Sequence, residues 1–246
     1  MTKIIIFWVQ YIYMRFILRK PDTAAGYLKT GIAYKNVGDY ARAIEDFTEA
    51  LILDSTYTSA YIERSDAYSK IYKHALALND LNEVIRLNPS LAMAYNERAL
   101  EYVYLRQLDL ALPDFNESLR LDPHDAVVYG NRGDYYYGLK DFDRALADLN
   151  EAIRLKPDHA EPYNVRAHIY YDTGDYDRAL ADMNTFLSFV SNDSSGYFGR
   201  AMIYEQKGDY DQAIADYKAA LRLEPQNVQA KYRLALAESQ KSESDR

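Results

Sequence analysis

The chain of 246 residues contains no cysteine and only four histidines. Disulfide bonds and thiolate chemistry are therefore excluded. No glycine-rich phosphate loop, no His-Glu-x-x-His motif and no nucleophile-elbow motif occurs in the sequence. The many carboxylates recur at regular intervals along the chain, as solvated or paired groups would. We therefore predict that the protein is not an enzyme and has no catalytic residue, no cofactor and no metal site.

Positive charge is also scarce, since 29 lysines and arginines stand against 37 aspartates and glutamates. The formal net charge of −8 disfavours nucleic acid as a partner, because an acidic surface repels the phosphate backbone. The charge is unevenly distributed along the chain. Residues 1–20 carry +4 with no acidic residue, so the remainder of the chain carries −12.

A fixed period of 34 residues organises most of the chain. Six tyrosines follow this period: Tyr27, Tyr61, Tyr95, Tyr129, Tyr163 and Tyr197. A second tyrosine series lies seven residues behind the first, and an alanine series runs from Ala43 to Ala213. A repeat of this length predicts stacked helical hairpins. The predicted repeats are 24–57, 58–91, 92–125, 126–159, 160–193 and 194–227.

Residues 126–159 show the predicted hairpin most clearly. Asp141 is a predicted N-cap of the second helix, and Pro157 is predicted to end it. The small residues Gly133 and Ala145 predict a close approach of the two helices. One hairpin cannot cover both of its apolar faces, so a neighbouring hairpin is expected to cover the other.

This pattern resembles the tetratricopeptide repeat family. The aromatic–small–aromatic pattern of the family's first helix is matched here by Tyr129, Gly133 and Tyr136. The alanine–aromatic–alanine pattern of its second helix is matched by Ala43, Phe47 and Ala50. The resemblance covers residues 24–227. It implies an all-α fold, an α–α superhelix (solenoid) of six tandem helix-turn-helix repeats followed by a C-terminal capping helix. That helix and a polar tail are expected in residues 228–246.

The resemblance also implies a function and a site. First helices of the family line a concave groove, which would bind a peptide or helix from a partner protein. Carried over position by position, the groove residues of repeats three to five are Asn96, Leu100, Val103, Tyr104, Asn131, Asp134, Tyr137, Asn164, His168 and Tyr171. Asparagine amides can hold a peptide backbone, and tyrosines add contact area at low entropic cost. We expect a protein-interaction scaffold whose partner the sequence does not name.

One subtype of the family binds the C-terminal carboxylate of a chaperone through lysine, asparagine and arginine side chains. The matching positions here are Leu28, Ile32, Glu63, Met93 and Glu97. None of these residues supplies a cation or an amide. We therefore expect no chaperone carboxylate clamp.

Two charged series also follow the period. Aspartates hold one position in all six second helices: Asp46, Asp80, Asp114, Asp148, Asp182 and Asp216. Arginines hold one position in five first helices: Arg64, Arg98, Arg132, Arg166 and Arg200. We predict arginine–aspartate pairing, either within a repeat or across the joint between neighbours.

Repeat three departs from the template because Pro113 falls within its second helix. A proline inside a helix removes one backbone hydrogen bond. The helix is therefore expected either to start late, with Asp109 as its cap, or to kink.

Residues 1–23 form an apolar and basic N-terminal segment. The apolar run from Ile4 to Leu18 would span about 22 Å as a helix, which is short of the ~30 Å hydrocarbon core of a bilayer. Three interpretations remain open: a helix docked on the first repeat, a membrane anchor or surface helix, or a dispensable start. The first places the protein in the cytoplasm. The second makes it a membrane-tethered assembly or maturation factor whose repeats face the cytoplasm.

Overall fold

The computed structural model describes residues 21–244. In this part of the chain all regular structure is helical, with 13 α-helices and no strand. The chain divides into two compact units between Pro123 and His124. The predicted all-α helical-repeat fold is confirmed.

The first unit contains six helices arranged as three hairpins. They are α1 (Ala24–Asn36), α2 (Tyr40–Leu53), α3 (Thr58–Lys70), α4 (His74–Leu87), α5 (Ala92–Tyr104) and α6 (Leu108–Leu121). Each odd-numbered helix packs against the helix that follows it. In addition α2 packs on α3 and α4 packs on α5, so neighbouring hairpins stack.

The second unit contains three further hairpins and a final helix. They are α7 (Ala126–Gly138), α8 (Phe142–Leu155), α9 (Glu161–Asp172), α10 (Tyr176–Phe189), α11 (Ser194–Gln206), α12 (Tyr210–Leu223) and α13 (Val228–Ser244). Helix α9 packs against both α8 and α7. The first helices of two successive repeats therefore lie side by side, and α13 packs against α12.

Aspartate side chains cap the second helix in four of the repeats. Asp39, Asp141, Asp175 and Asp209 each accept a hydrogen bond of 3.1–3.2 Å from the backbone N–H three residues later. Such a cap satisfies a donor at the helix start that has no partner within the helix, and typically contributes about 1 kcal/mol. The prediction of Asp141 as an N-cap is confirmed.

The close approach of the two helices in residues 126–159 is also confirmed. A Cβ atom added to Gly133 would lie 2.8 Å from Cγ of Leu149 and 3.4 Å from the backbone oxygen of Ala145. The side chains of Ala145 and Leu149 are completely buried. Glycine at this position therefore lets the α7 backbone approach α8 within side-chain contact.

The expectation of a late start for the second helix of repeat three is wrong. Helix α6 begins at Leu108 and continues through Pro113, and Gln107 is its N-cap residue. Asp109 lies in the first turn of the helix instead of capping it. Ala111 and Phe115 are fully buried on either side of the proline. We attribute the continuity of α6 to this packing, which offsets the single lost hydrogen bond.

The interpretations of the apolar run from Ile4 to Leu18 lie outside the described residues. Among the helices within residues 21–244, none combines the length and the apolar character needed to cross a bilayer.

Candidate functional site

In repeats two to six, the arginine and aspartate series form bidentate pairs within the repeat, which is one of the two predicted arrangements. Nε and Nη2 of each arginine donate to the two carboxylate oxygens of the aspartate sixteen residues later, at 2.6–2.9 Å. The pairs are Arg64–Asp80, Arg98–Asp114, Arg132–Asp148, Arg166–Asp182 and Arg200–Asp216. Repeat one has Thr30 in place of the arginine, and its hydroxyl donates to Asp46.

The arginines of repeats two, three, five and six also connect neighbouring repeats within their own unit. Nη1 of Arg166 donates to the side-chain oxygen of Asn150 in the preceding repeat, and Arg200 reaches Asn184 in the same way. The guanidinium carbon of Arg166 lies 5.7 Å from the ring centroid of Tyr163 and 6.0 Å from that of Tyr170. The periodic arginines, aspartates and tyrosines therefore hold the repeats together, and a binding site must be sought on other residues.

The predicted groove residues of the first unit lie in different environments. Asn96 is only 4% exposed, and its amide donates to Glu97. Leu100 and Tyr104 line a cavity of about 330 Å³ on the surface of this unit, and Val103 does not line it.

Charged side chains around this first-unit cavity are paired with one another. Lys35 Nζ lies 2.6 Å from a carboxylate oxygen of Glu63 and 2.6 Å from one of Asp66. The Nδ1 atom of His74 lies 2.7 Å from Glu101. Tyr104, which is 64% exposed, stacks on the His74 ring with 4.9 Å between the ring centroids. Lys35 thus offsets part of the acidic charge of this cavity.

In the second unit, five predicted groove residues come together. They line one cavity of about 400 Å³: Asn131, Asp134 and Tyr137 from α7, and Asn164 and His168 from α9. We call this space the α7–α9 cavity. Spacings of three and four residues place these side chains on one face of each helix. Tyr171 does not line the cavity, and its ring lies 5.8 Å from that of Tyr176.

The tyrosine of the α7–α9 cavity connects the two helices. The Tyr137 hydroxyl donates to Oδ2 of Asp172 at 3.1 Å. Burial, followed by the negative charge of Asp172 and this hydrogen bond, raises the pKa of Tyr137 to about 12. The hydroxyl therefore remains protonated at neutral pH and acts as a donor.

The α7–α9 cavity has an acidic character that the family pattern did not indicate. Asp134 is accessible to solvent, yet the surrounding protein raises the pKa of its carboxyl group, chiefly because fewer water molecules can solvate the charge. Repulsion by Glu161 adds to this shift, and His168 opposes it. Burial lowers the pKa of His168, although Asp172 and Asp134 act in the opposite direction. His168 is therefore predominantly neutral at pH 7.

Several residues of the cavity were not predicted from the sequence, because they do not occupy the groove positions that the family pattern defines on first helices. His159 precedes α9, Glu161 and Pro162 begin it, and Val165 lies one turn further along. A glutamate followed by proline at a helix start was visible in the sequence, but nothing in the repeat pattern related it to Asp134. Within residues 21–244, no cluster of three or more histidine, aspartate or glutamate side chains is arranged to hold a metal ion.

Solved structures share this fold at low sequence identity. The APC/C hetero-tetramer Cut9–Hcn1 matches with a TM-score of 0.82 and 22% identity over 94% of this chain. This chain spans 46% of the length of the chain that it matches there. A tetratricopeptide repeat protein from Parabacteroides merdae gives a TM-score of 0.72 and 22% identity, with 94% of this chain and 90% of that chain covered.

A third solved structure is YrrB, described as a TPR protein with an unusual peptide-binding site. It matches with a TM-score of 0.56 and 20% identity, covering 77% of this chain and 97% of its own. No curated protein matches this chain in sequence.

Family models identify the repeats directly from the sequence. Models described as tetratricopeptide repeat match residues 24–57, 96–160, 131–194 and 194–227. Together they cover about two thirds of the chain, and the helical hairpins of both units agree with them. This protein belongs to the tetratricopeptide repeat family.

Proposed function

We propose that this protein is a scaffold for protein–protein interactions that binds a peptide or helix of its partner in the α7–α9 cavity. The tetratricopeptide repeat fold supports the general role. YrrB, a structural neighbour of the same fold, is described as having a peptide-binding site. The α7–α9 cavity supports the more specific role.

The observation that carries this proposal is the convergence of polar side chains from two adjacent helices on one open space. Asn131 and Tyr137 from α7 meet Asn164 and His168 from α9. Within the described part of the chain, the Asn164 amide makes no hydrogen bond, so it is available to donate to and accept from a peptide backbone. A cavity of about 400 Å³ is large enough for a few side chains of an extended or helical segment.

The test removes the amides and retains the Tyr137–Asp172 contact between the helices. Asn131→Ala combined with Asn164→Ala leaves the Tyr137–Asp172 hydrogen bond in place. Random dodecapeptides displayed on phage are selected on the wild-type protein, and the selected peptides are titrated against both proteins. We expect the double variant to bind them at least about tenfold more weakly, because two hydrogen-bonding groups are lost.

A matched control replaces two exposed amides outside the cavity, Asn192→Ala with Gln226→Ala. This control is expected to bind the selected peptides like the wild type. Circular dichroism and thermal unfolding establish that both variants are folded. Undiminished binding by the folded double variant would refute the α7–α9 cavity as the peptide site.

A second candidate function rests on the first twenty residues. Their apolar run and their charge of +4 favour a membrane-tethered assembly factor, with the repeats held on the cytoplasmic side. Replacing Ile6 and Ile12 by glutamate in the full chain, followed by cell fractionation, tests this function. The membrane fraction is expected to lose the protein, and an identical, fully soluble distribution of both proteins would dismiss the tether.

A further inference from the structure

The acidic groups of the two cavities differ in their partners. In the first unit, Lys35 contacts both Glu63 and Asp66. In the second unit, neither Asp134 nor Glu161 forms a hydrogen bond or an ion pair with another described residue of that unit. Asp134 occupies the same position in its repeat as Asp66, two periods earlier. The same repeat position is therefore paired with a lysine in the first unit and has no cation partner within the second unit.

No lysine or arginine side chain compensates for this charge among the described residues that line the α7–α9 cavity. Two histidines, His159 and His168, line it, and burial keeps His168 predominantly neutral. Tyr137 contributes a hydroxyl that already donates to another carboxylate, that of Asp172. The cavity thus holds negative charge that no lysine or arginine of its lining balances.

From this charge imbalance we propose that the α7–α9 cavity recognises a lysine or arginine side chain of the partner peptide, with Asp134 as the principal acceptor. The inference rests on the proposed function, because it assumes that the cavity binds a peptide. Glu161 adds a second negative charge. The cationic head would form charge-assisted hydrogen bonds with Asp134, which are stronger than those between neutral groups.

The walls of the cavity can also accommodate the methylene groups of a lysine or arginine side chain. Val127 and Val165 provide apolar surface next to the carboxylates. Long cationic side chains pack their methylene groups along apolar surface and keep the charged head in a polar environment. The Asn164 amide remains available for the peptide backbone.

Electrostatics favour such a cation over other ligands. The Asp134 carboxylate is accessible to solvent, and partial desolvation followed by repulsion from Glu161 raises its pKa, so a nearby cation stabilises its ionised form. An acidic peptide or a second copy of the acidic repeats would add repulsion instead.

The experiment compares peptide sets that differ at one position. Degenerate dodecapeptides carry a fixed central residue, which is lysine, arginine, glutamine, norleucine or glutamate, and their retention by the immobilised full-length protein is measured. We expect the lysine and arginine sets to be retained about tenfold more than the glutamine and norleucine sets, as for one charge-assisted hydrogen bond. Asp134→Asn should bring this ratio close to one, and Glu161→Gln should lower it by a smaller factor.

The control is Asp143→Asn, which removes the same charge from an exposed position in the first turn of α8. It should leave the preference for lysine and arginine unchanged. The preference of the wild type should also weaken as salt is raised from 50 to 500 mM, because exposed parts of the charge pair are screened.

The outcomes separate the two proposals. If all sets bind equally and binding still depends on Asn131 and Asn164, the proposed function stands and the cationic preference is refuted. If no set binds, both proposals fail. A preference that survives Asp134→Asn would place the acceptor elsewhere and overturn the inference.

The lysines and arginines of residues 1–20 of the same chain are an alternative source of the cation that would bind in the α7–α9 cavity. Replacing the four lysines and arginines of residues 1–20 by glutamine in the full chain tests it. Unchanged peptide binding supports a cation supplied by the partner. A gain of about tenfold would show that the chain's own segment competes for the cavity, and the partner assignment would be overturned.

Discussion

Replacement of Arg166 by methionine is expected to destabilise the second unit by about 3–5 kcal/mol. Nε and Nη2 of Arg166 lie 2.6 and 2.8 Å from the carboxylate oxygens of Asp182, which is 7% exposed. Methionine keeps much of the apolar stem beside Tyr163 and Tyr170 but leaves the buried carboxylate without a cation. The lost free energy of unfolding therefore comes mainly from an unpaired charge and less from lost packing.

A second variant separates these contributions. Arg166→Met combined with Asp182→Leu removes the pair and the unpaired charge together. We expect the double variant to lie within about 1–2 kcal/mol of the wild type, because apolar replacement of a buried ion pair is often neutral. Asn150 loses its hydrogen bond from Arg166 in both variants. The cost of this lost bond is therefore the same in both and does not affect the difference between their free energies of unfolding.

The assay is urea unfolding followed by circular dichroism, together with amide hydrogen exchange. Repeat arrays can unfold segment by segment, so a single transition does not report every hairpin. Exchange of the α9 and α10 amides reports the local opening free energy. We expect protection in these two helices to fall first in Arg166→Met and to recover in the double variant.

Repeat one provides the matched control, because Thr30 replaces the arginine there. Burial raises the pKa of Asp46, and the hydrogen bond from Thr30 only partly opposes this shift. Asp46→Asn is therefore expected to change stability by less than about 1 kcal/mol. If Arg166→Met also costs less than about 1 kcal/mol, or if the double variant is no more stable than the single one, the structural role of the pair is refuted.

Three further predictions concern other parts of the structure. Burial lowers the pKa of His168 in the folded state, so the unfolded chain binds a proton at this imidazole at a higher pH than the folded protein does. The free energy of unfolding should therefore fall as the pH drops below about 6.5, by at most about 1.4 kcal/mol per pH unit. Urea unfolding at pH 7.0 and 5.5 should show less of this loss in His168→Gln, and equal losses would contradict the assignment. Gly133→Val places a side chain against Leu149 and should cost about 1–3 kcal/mol, whereas an unchanged melting temperature would disprove the tight contact. Lys140 has a left-handed φ of 59°, and glycines occupy the same turn position with positive φ in other repeats. Lys140→Gly should therefore raise the stability measured by thermal unfolding by about 0.5–1 kcal/mol. A decrease would contradict strain at this turn.

Local features were predictable because they depend on residues close together in the chain. The cap at Asp141 requires only a carboxylate three residues before a backbone N–H, and the sequence shows that spacing. Pro113 was harder to interpret. A proline favours a helix start or a kink locally, but buried contacts of Ala111 and Phe115 on the same helix compete with that preference.

The pairing of Arg166 with Asp182 was only partly predictable. The repeat pattern indicated that the two residue types pair, but it did not decide whether the ion pair forms within a repeat or across the joint between two repeats. In the structure the carboxylate belongs to the same repeat, and the third donor of the guanidinium reaches Asn150 of the preceding one. Arg166 therefore takes part in a contact within its own repeat and in a contact across the joint. The prediction from the sequence allowed only one of these two arrangements.

The sequence by itself determined the helices, the repeat and the family, because a 34-residue period and helical spacing depend only on positions along the chain. Only the tertiary structure decided which candidate residues meet. Asn96 is buried, whereas Asn131 and Asn164 line one cavity. The space between helices depends on how neighbouring side chains pack, and charge balance depends on which residues lie across that space. For that reason Asp66 is paired with Lys35, and Asp134 has no ion-pair partner among the described residues of its own unit.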